Sequence, residues 1–377
     1  MKKIFFIIVF VLLFSITVFA KEDLNSEIMQ DIDKEFSEFE NSLPDYVKDF
    51  FPDNILNGNF NDLSLQSINQ FDFLDYATNY LLGFAPLILK NFANLLVLFL
   101  IISIFNTIKA SFHSEGLKQA FSMCSSLCIS ISVFSAISAI LDMCVNFLLI
   151  LCNTMNSFTP VMSALYIMTG AITSASVSSA SMMLFLSIVE NFVVYGLVPI
   201  IKLCLCFSIV GAISGYVDLS GISRTIKNTF TGVCVFLMSI FSFVMSFQSV
   251  LSHSADSLSL RTVRFAIGNF IPVVGGFIGD SMKTVSASFS FIKSSCGVFA
   301  IIVIFLLILP IVISLILNKL SFDIISGISK SIGVEAESKI CDEASNLCSF
   351  ALSTVLLCSV TFLFALTIFI KSSVVIG

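Results

Sequence analysis

Tryptophan is absent, histidine occurs twice, and charged side chains make up only 12% of the 377 residues. A soluble domain carries roughly twice that share of charge, so most of this chain's surface is not built to face water. The two histidines, His113 and His253, lie far apart, and none of the eleven cysteines forms a CxxC pair. Metal-ligand spacing is therefore missing, and no metal site is expected. Cys124–Cys128 at i, i+4 and Cys204–Cys206 two apart sit in apolar runs and read as small hydrophobes. HExxH, GxxxxGK[ST] and GxSxG are all missing, so zinc-protease, nucleotide-hydrolysing and serine-hydrolase chemistry lack their usual parts. No catalytic residue and no cofactor is expected. A broad basic patch is missing too, which argues against nucleic acid as a partner.

Apolar sequence is what the chain has in quantity: 57% hydrophobic residues, 41 of them Phe, and a mean hydropathy of +1.01. The net charge of −6 is unevenly placed. Residues 21–85 hold 14 Asp and Glu against 3 Lys, a net of −11, which leaves +5 for the remainder. The reading is an all-α polytopic membrane protein with a small acidic external segment.

Residues 1–20 have the form of a cleavable signal peptide, with Lys2 and Lys3 before an apolar core and Val18-Phe19-Ala20 at its end. An uncleaved anchor is the alternative, and both place residues 21–85 outside the cytoplasm. In that segment Ile28, Ile32, Phe36 and Phe39 recur at helical spacing between acids, as in an amphipathic helix that docks on something. The body then divides into a first span with a polar loop (86–119), two membrane units (120–229 and 230–346) and a last span (347–377). About six spans are expected, between about six and eight. The run from Met182 to Ile213 is too long for one straight span, so tilt, a kink at Pro199 or a partly interfacial course is expected there. Lys109, Lys118, Arg224, Lys227, Lys319, Lys330 and Lys339 fall on the side opposite residues 21–85, a modest positive-inside bias.

The stretch 259–290 interrupts the pattern. It carries Arg261, Arg264, Gly268, Phe270, Pro272, Gly275, Gly276 and Asp280 among apolar residues. Breakers flanked by charge suit backbone that enters the bilayer without crossing it, or an interfacial loop. The stretch has an echo: Phe158-Thr-Pro160-Val161 matches Phe270-Ile-Pro272-Val273 at an offset of 112. Ser174-Ala-Ser176 matches Ser286-Ala-Ser288 at the same offset, and Pro199 pairs with Pro310. Ser220-Gly-Ile-Ser-Arg224 matches Ser326-Gly-Ile-Ser-Lys330. Two Gly/Pro hairpin segments in a parallel internal repeat are expected, facing each other from one side.

Glu190, inside an apolar run, is either a proton- or cation-linked group or a structural contact between helices. Arg261 and Arg264 either pair with Asp280 or snorkel to water. The Ser-rich tracts 173–181 and 286–290 either pack helices closely or line a polar path.

At Leu260-Arg-Thr-Val-Arg-Phe265-Ala-Ile-Gly-Asn-Phe-Ile-Pro-Val273, with Gly275, Asp280 and Thr284-Val285 after it, the sequence resembles the stage III sporulation protein AE family of endospore-forming bacteria. The order of parts agrees as well. The resemblance implies a subunit of a secretion-like channel complex joining mother cell and forespore, needed for forespore development. It implies a place in the mother-cell (outer forespore) membrane, with residues 21–85 facing the intermembrane space. The implied partners are an ATPase, small membrane subunits and ring proteins of the intermembrane space. Two alternatives stand beside that reading. One is a structural platform that anchors rings and ATPase without forming a path; the other is an ion-coupled small-solute transporter.

Overall fold

Long apolar runs with few breakers form long helices here. A computed structural model describes residues 34, 36–48, 73–109, 114–214, 219–270 and 275–371, all of them helix or short connections between helices. The expected signal segment at 1–20 and most of the acidic segment lie outside the described residues. After a short helix α1 (Asp45–Lys48) come α2 (Phe73–Lys109), α3 (Glu115–Met168), α4 (Ile172–Ile188), α5 (Tyr195–Ser214), α6 (Ser220–Phe270), α7 (Gly275–Ser331) and α8 (Glu335–Lys371). Among the described residues six helical segments are long and apolar enough to cross a membrane. They run up and down in chain order, and α7 and α8 make the most extensive pair.

Two tight turns share one device. Thr169–Ala171 and Ile332–Val334 each place a glycine at positive φ, Gly170 at 85° and Gly333 at 78°. In each, two backbone bonds close over the helix end: Gly170 N–H to Ile167 O and Ala171 N–H to Tyr166 O, then Gly333 N–H to Lys330 O and Val334 N–H to Ser329 O. This is the Schellman arrangement, which needs a residue without Cβ at the left-handed position. At Gly170 a Cβ would also press on Leu260.

The structure corrects the first expected hairpin. Residues 156–165 lie inside α3, and the chain turns only at 169–171. Pro160 lacks an N–H, so the Asn156 carbonyl loses its helical donor, a loss that membrane helices tolerate. Phe158 is core rather than path, buried beside Phe39 at 5.1 Å between ring centroids. Residues 319–331 and 335–346, which the sequence would allow as a polar loop, are likewise the helical close of α7 and opening of α8. The 182–213 run is interrupted before Pro199, by a π-helical turn at Val189–Val194 between α4 and α5. Pro199 clashes with the carbonyl one turn back, at Tyr195, and the wider π turn ends immediately before that residue.

The interior is filled by rings. Phe185 stacks on Phe241 at 4.0 Å and meets Phe362 edge-on at 4.8 Å. The acidic segment docks on this chain's own bundle: Phe36, Phe39, Leu43 and Val47 are buried, and Phe39 lies against Phe158 and Phe299. Its charged side faces outward, with Glu38 exposed.

Candidate functional site

The buried charged groups lie at two levels, one at each end of the bundle, with buried Ser and Thr such as Thr154 and Ser359 scattered between them. On α6 the layers are marked by Lys227 and Asp256, 29 residues apart, or about 43 Å of helix. On α7 they are marked by Lys293 and Asp323, 30 residues apart, or about 45 Å. Both separations match a bilayer counted with its headgroup regions, about 40–45 Å.

The layer nearest the acidic segment is the more unusual one. The first turn of α4 has no side-chain cap of its own. Asp256 of α6 supplies it: its two carboxylate oxygens accept the Thr173 N–H at 2.9 Å and the Ser174 N–H at 2.8 Å. A carboxylate at a helix N-terminus satisfies orphan donors and faces the positive end of the dipole. Ser174 and Ser252 hydroxyls bond at 3.2 Å, and Ser181 donates to Gln248. Of the two readings of the 173–181 tract, the structure shows the close packing one, with Ser174, Ser178 and Ser181 buried.

Beside this cap lies Lys293, fully buried, its Nζ 3.7 Å from the ring centroid of the equally buried Tyr166. The ring face attracts the ammonium, yet burial still pushes the Lys293 pKa down from 10.5 to about 7. His253, half-buried, interacts electrostatically with both Lys293 and Asp256. The cluster therefore ties α3, α4, α6 and α7 together at one level. No group of three or more metal-ligating side chains occurs among the described residues.

The opposite layer is organised by α8. Three of the four carboxylates in its first turns each bond to a different helix. Glu337 accepts the Ser125 hydroxyl of α3 at 2.6 Å. Asp342 meets Ser326 and Lys330 of α7, the lysine at 2.7 Å. Glu343 meets Ser223 and Lys227 of α6, the lysine at 2.8 Å. Thus α6 and α7 each offer a Ser and a Lys one turn apart to neighbouring acids of α8.

Placement of the sequence-derived residues follows from this frame. Backbone of the 259–290 stretch is helical to Phe270 and again from Gly275, so Gly268, Gly275, Gly276 and Asp280 sit on helices. Residues 271–274, with Pro272, lie outside the described residues, as do the side chains of Arg264, Phe270 and Asp280. Arg261 is exposed. Beyond the polar layer α6 continues for 14 residues past Asp256, about 21 Å, and α7 begins 18 residues before Lys293. These two helical extensions, here called the arm, run past the polar layer at that end. Glu190 is exposed on the π turn and is brought together with none of the other candidates. Reading the sequence missed Lys293, Asp256 and Tyr166 as a group. The available signal was a lone lysine two residues before the most apolar span, Ser295–Ser331.

A family model described as stage III sporulation protein AE matches residues 53–373. A curated relative, stage III sporulation protein AE of Bacillus subtilis (strain 168), is 28% identical over 156 residues. That match covers 40% of this chain and 39% of the relative's own length. No solved structure matches.

Proposed function

Because the chain belongs to the stage III sporulation protein AE family, we propose that it is a multi-pass membrane subunit of a secretion-like complex linking mother cell and forespore, and that it acts there as a packed platform. The single observation carrying the platform form is the filled interior between the two polar layers, where the Phe185 ring contacts both Phe241 and Phe362. A path for a substrate would then run between copies or beside partners, not through the middle of one chain.

The two ends have different tasks in this reading. The arm of α6 and α7, with Arg261 exposed on it, and the acidic segment docked beside Phe299 belong to one end. That end faces the intermembrane space and meets ring proteins. The end built on Glu337, Asp342 and Glu343 faces the mother-cell cytoplasm and meets the ATPase and small membrane subunits.

The test shortens the arm by two turns on each helix, removing residues 263–269 and 276–282, in a sporulating host. The shortened protein accumulates in the membrane, fails to co-purify ring proteins, and leaves late forespore gene expression low. Normal co-purification and normal forespore development would refute the role given to the arm.

A further inference from the structure

A cleft of about 760 Å³ opens between α6 and α8 at the level of the α8 carboxylates. Its size falls within the range of small-molecule sites, roughly 300–1,000 Å³. The cleft is graded. At its outer end stand Arg224, Asn228 and Asn346; toward the bilayer middle the wall becomes Val235 and Phe350. Lys227 and Glu343 line it too, but they neutralise one another at 2.8 Å. Arg224 is exposed and has no ion pair among the described residues, so the cleft carries a net positive charge. Gly221 and Gly232 leave the α6 backbone open: a Cβ at either would meet nothing within 4 Å.

The apolar end does not stop at the cleft. On α8 the lining residue Ser353 is followed at helical steps by Leu356 and Val360, both exposed. On α6, Val235 is followed by Phe243, also exposed. A cationic, hydrogen-bonding mouth at the headgroup level thus leads into an apolar track toward the middle of the bilayer. Arginine matches phosphate oxygens with a planar fork, and basic pockets between membrane helices hold anionic headgroups. We propose that the α6–α8 cleft binds the phosphate headgroup of an anionic phospholipid, with an acyl chain lying along the track below Phe350.

The test uses the full-length protein purified in mild detergent and probed with phosphatidylglycerol, with phosphatidylcholine and with inorganic phosphate. Retained lipid is read by native mass spectrometry and affinity by the shift of thermal unfolding with lipid concentration. Phosphatidylglycerol is retained in preference to phosphatidylcholine. Arg224→Gln weakens it about five- to tenfold, and Gly232→Phe, which fills the cleft, removes the preference. Arg224 is exposed, so its variant folds and carries the test even if the glycine variant does not accumulate. Equal retention of both lipids, or no change in Arg224→Gln, would overturn the proposal. So would stabilisation by inorganic phosphate equal to that by phosphatidylglycerol, which would leave the apolar track without a role.

Discussion

Replacing Lys293 by methionine keeps the reach of the side chain and removes its ammonium. An unfolded chain holds that proton up to the usual 10.5, whereas the folded chain gives it up near 7 because the site is buried. Between those values the unfolded state binds more protons than the folded one, so stability rises as pH rises. Below about pH 7 both states hold the proton, and the full penalty is present. That penalty is on the order of 5 kcal/mol, and about 2 kcal/mol of it is relieved between pH 7 and pH 9. Attraction to the Tyr166 ring returns about 1–2 kcal/mol of it, and a methionine sulfur against the same ring keeps part of that contact. Lys293→Met therefore loses the excess pH dependence of the natural protein between pH 7 and pH 9. The assay is thermal unfolding in detergent at pH 7 and pH 9, for both proteins. The natural protein gains about 4 °C more than the variant over that interval. Identical slopes would mean that Lys293 keeps its proton in the folded protein over this interval and would refute the reasoning.

Further predictions concern the two layers and one close contact. Asp256→Ala removes the cap on α4 and costs about 1–2 kcal/mol, while Asp256→Asn costs less, both read by thermal unfolding. Glu343→Ala strands the half-buried Lys227 and the Ser223 hydroxyl and costs about 2–3 kcal/mol, which Lys227→Met added to it partly restores. A Cβ at Gly297 would run into Ile370, so Gly297→Ala costs about 1–3 kcal/mol, and Ile370→Ala in the same chain relieves it.

What could be read without the fold was what depends on neighbours in sequence. The apolar runs gave the six spans, because span length follows from composition alone. The excess length of 182–213 called for a departure from one straight span, but Pro199 does not say on which side the backbone will widen, and the π turn at 189–194 lies before it. Pro160 looked like a breaker because proline breaks helices in water; inside a bundle its neighbours hold the helix together. The Ser-Gly-Ile-Ser motifs were visible as a repeat, yet their acceptors, Asp342 and Glu343, are more than 100 residues from one motif and about 16 from the other. The pairing of Lys293 with Tyr166 was equally hidden, since nothing local links residues 127 apart. The acidic segment was recognised as a helix that docks, but its partner proved to be the chain itself.

The packed interior is the claim on which the proposed role rests, and the native cysteines report on it directly. Eight of the eleven, including Cys152, Cys296, Cys348 and Cys358, are buried within the bundle. Labelling the folded protein in sealed vesicles with a water-soluble maleimide, from each side in turn, and locating the modified positions by mass spectrometry measures whether water reaches them. The platform account predicts that all eight stay unmodified until the protein is unfolded. Modification of Cys296 or Cys358 in the folded protein would place water inside the bundle and contradict it.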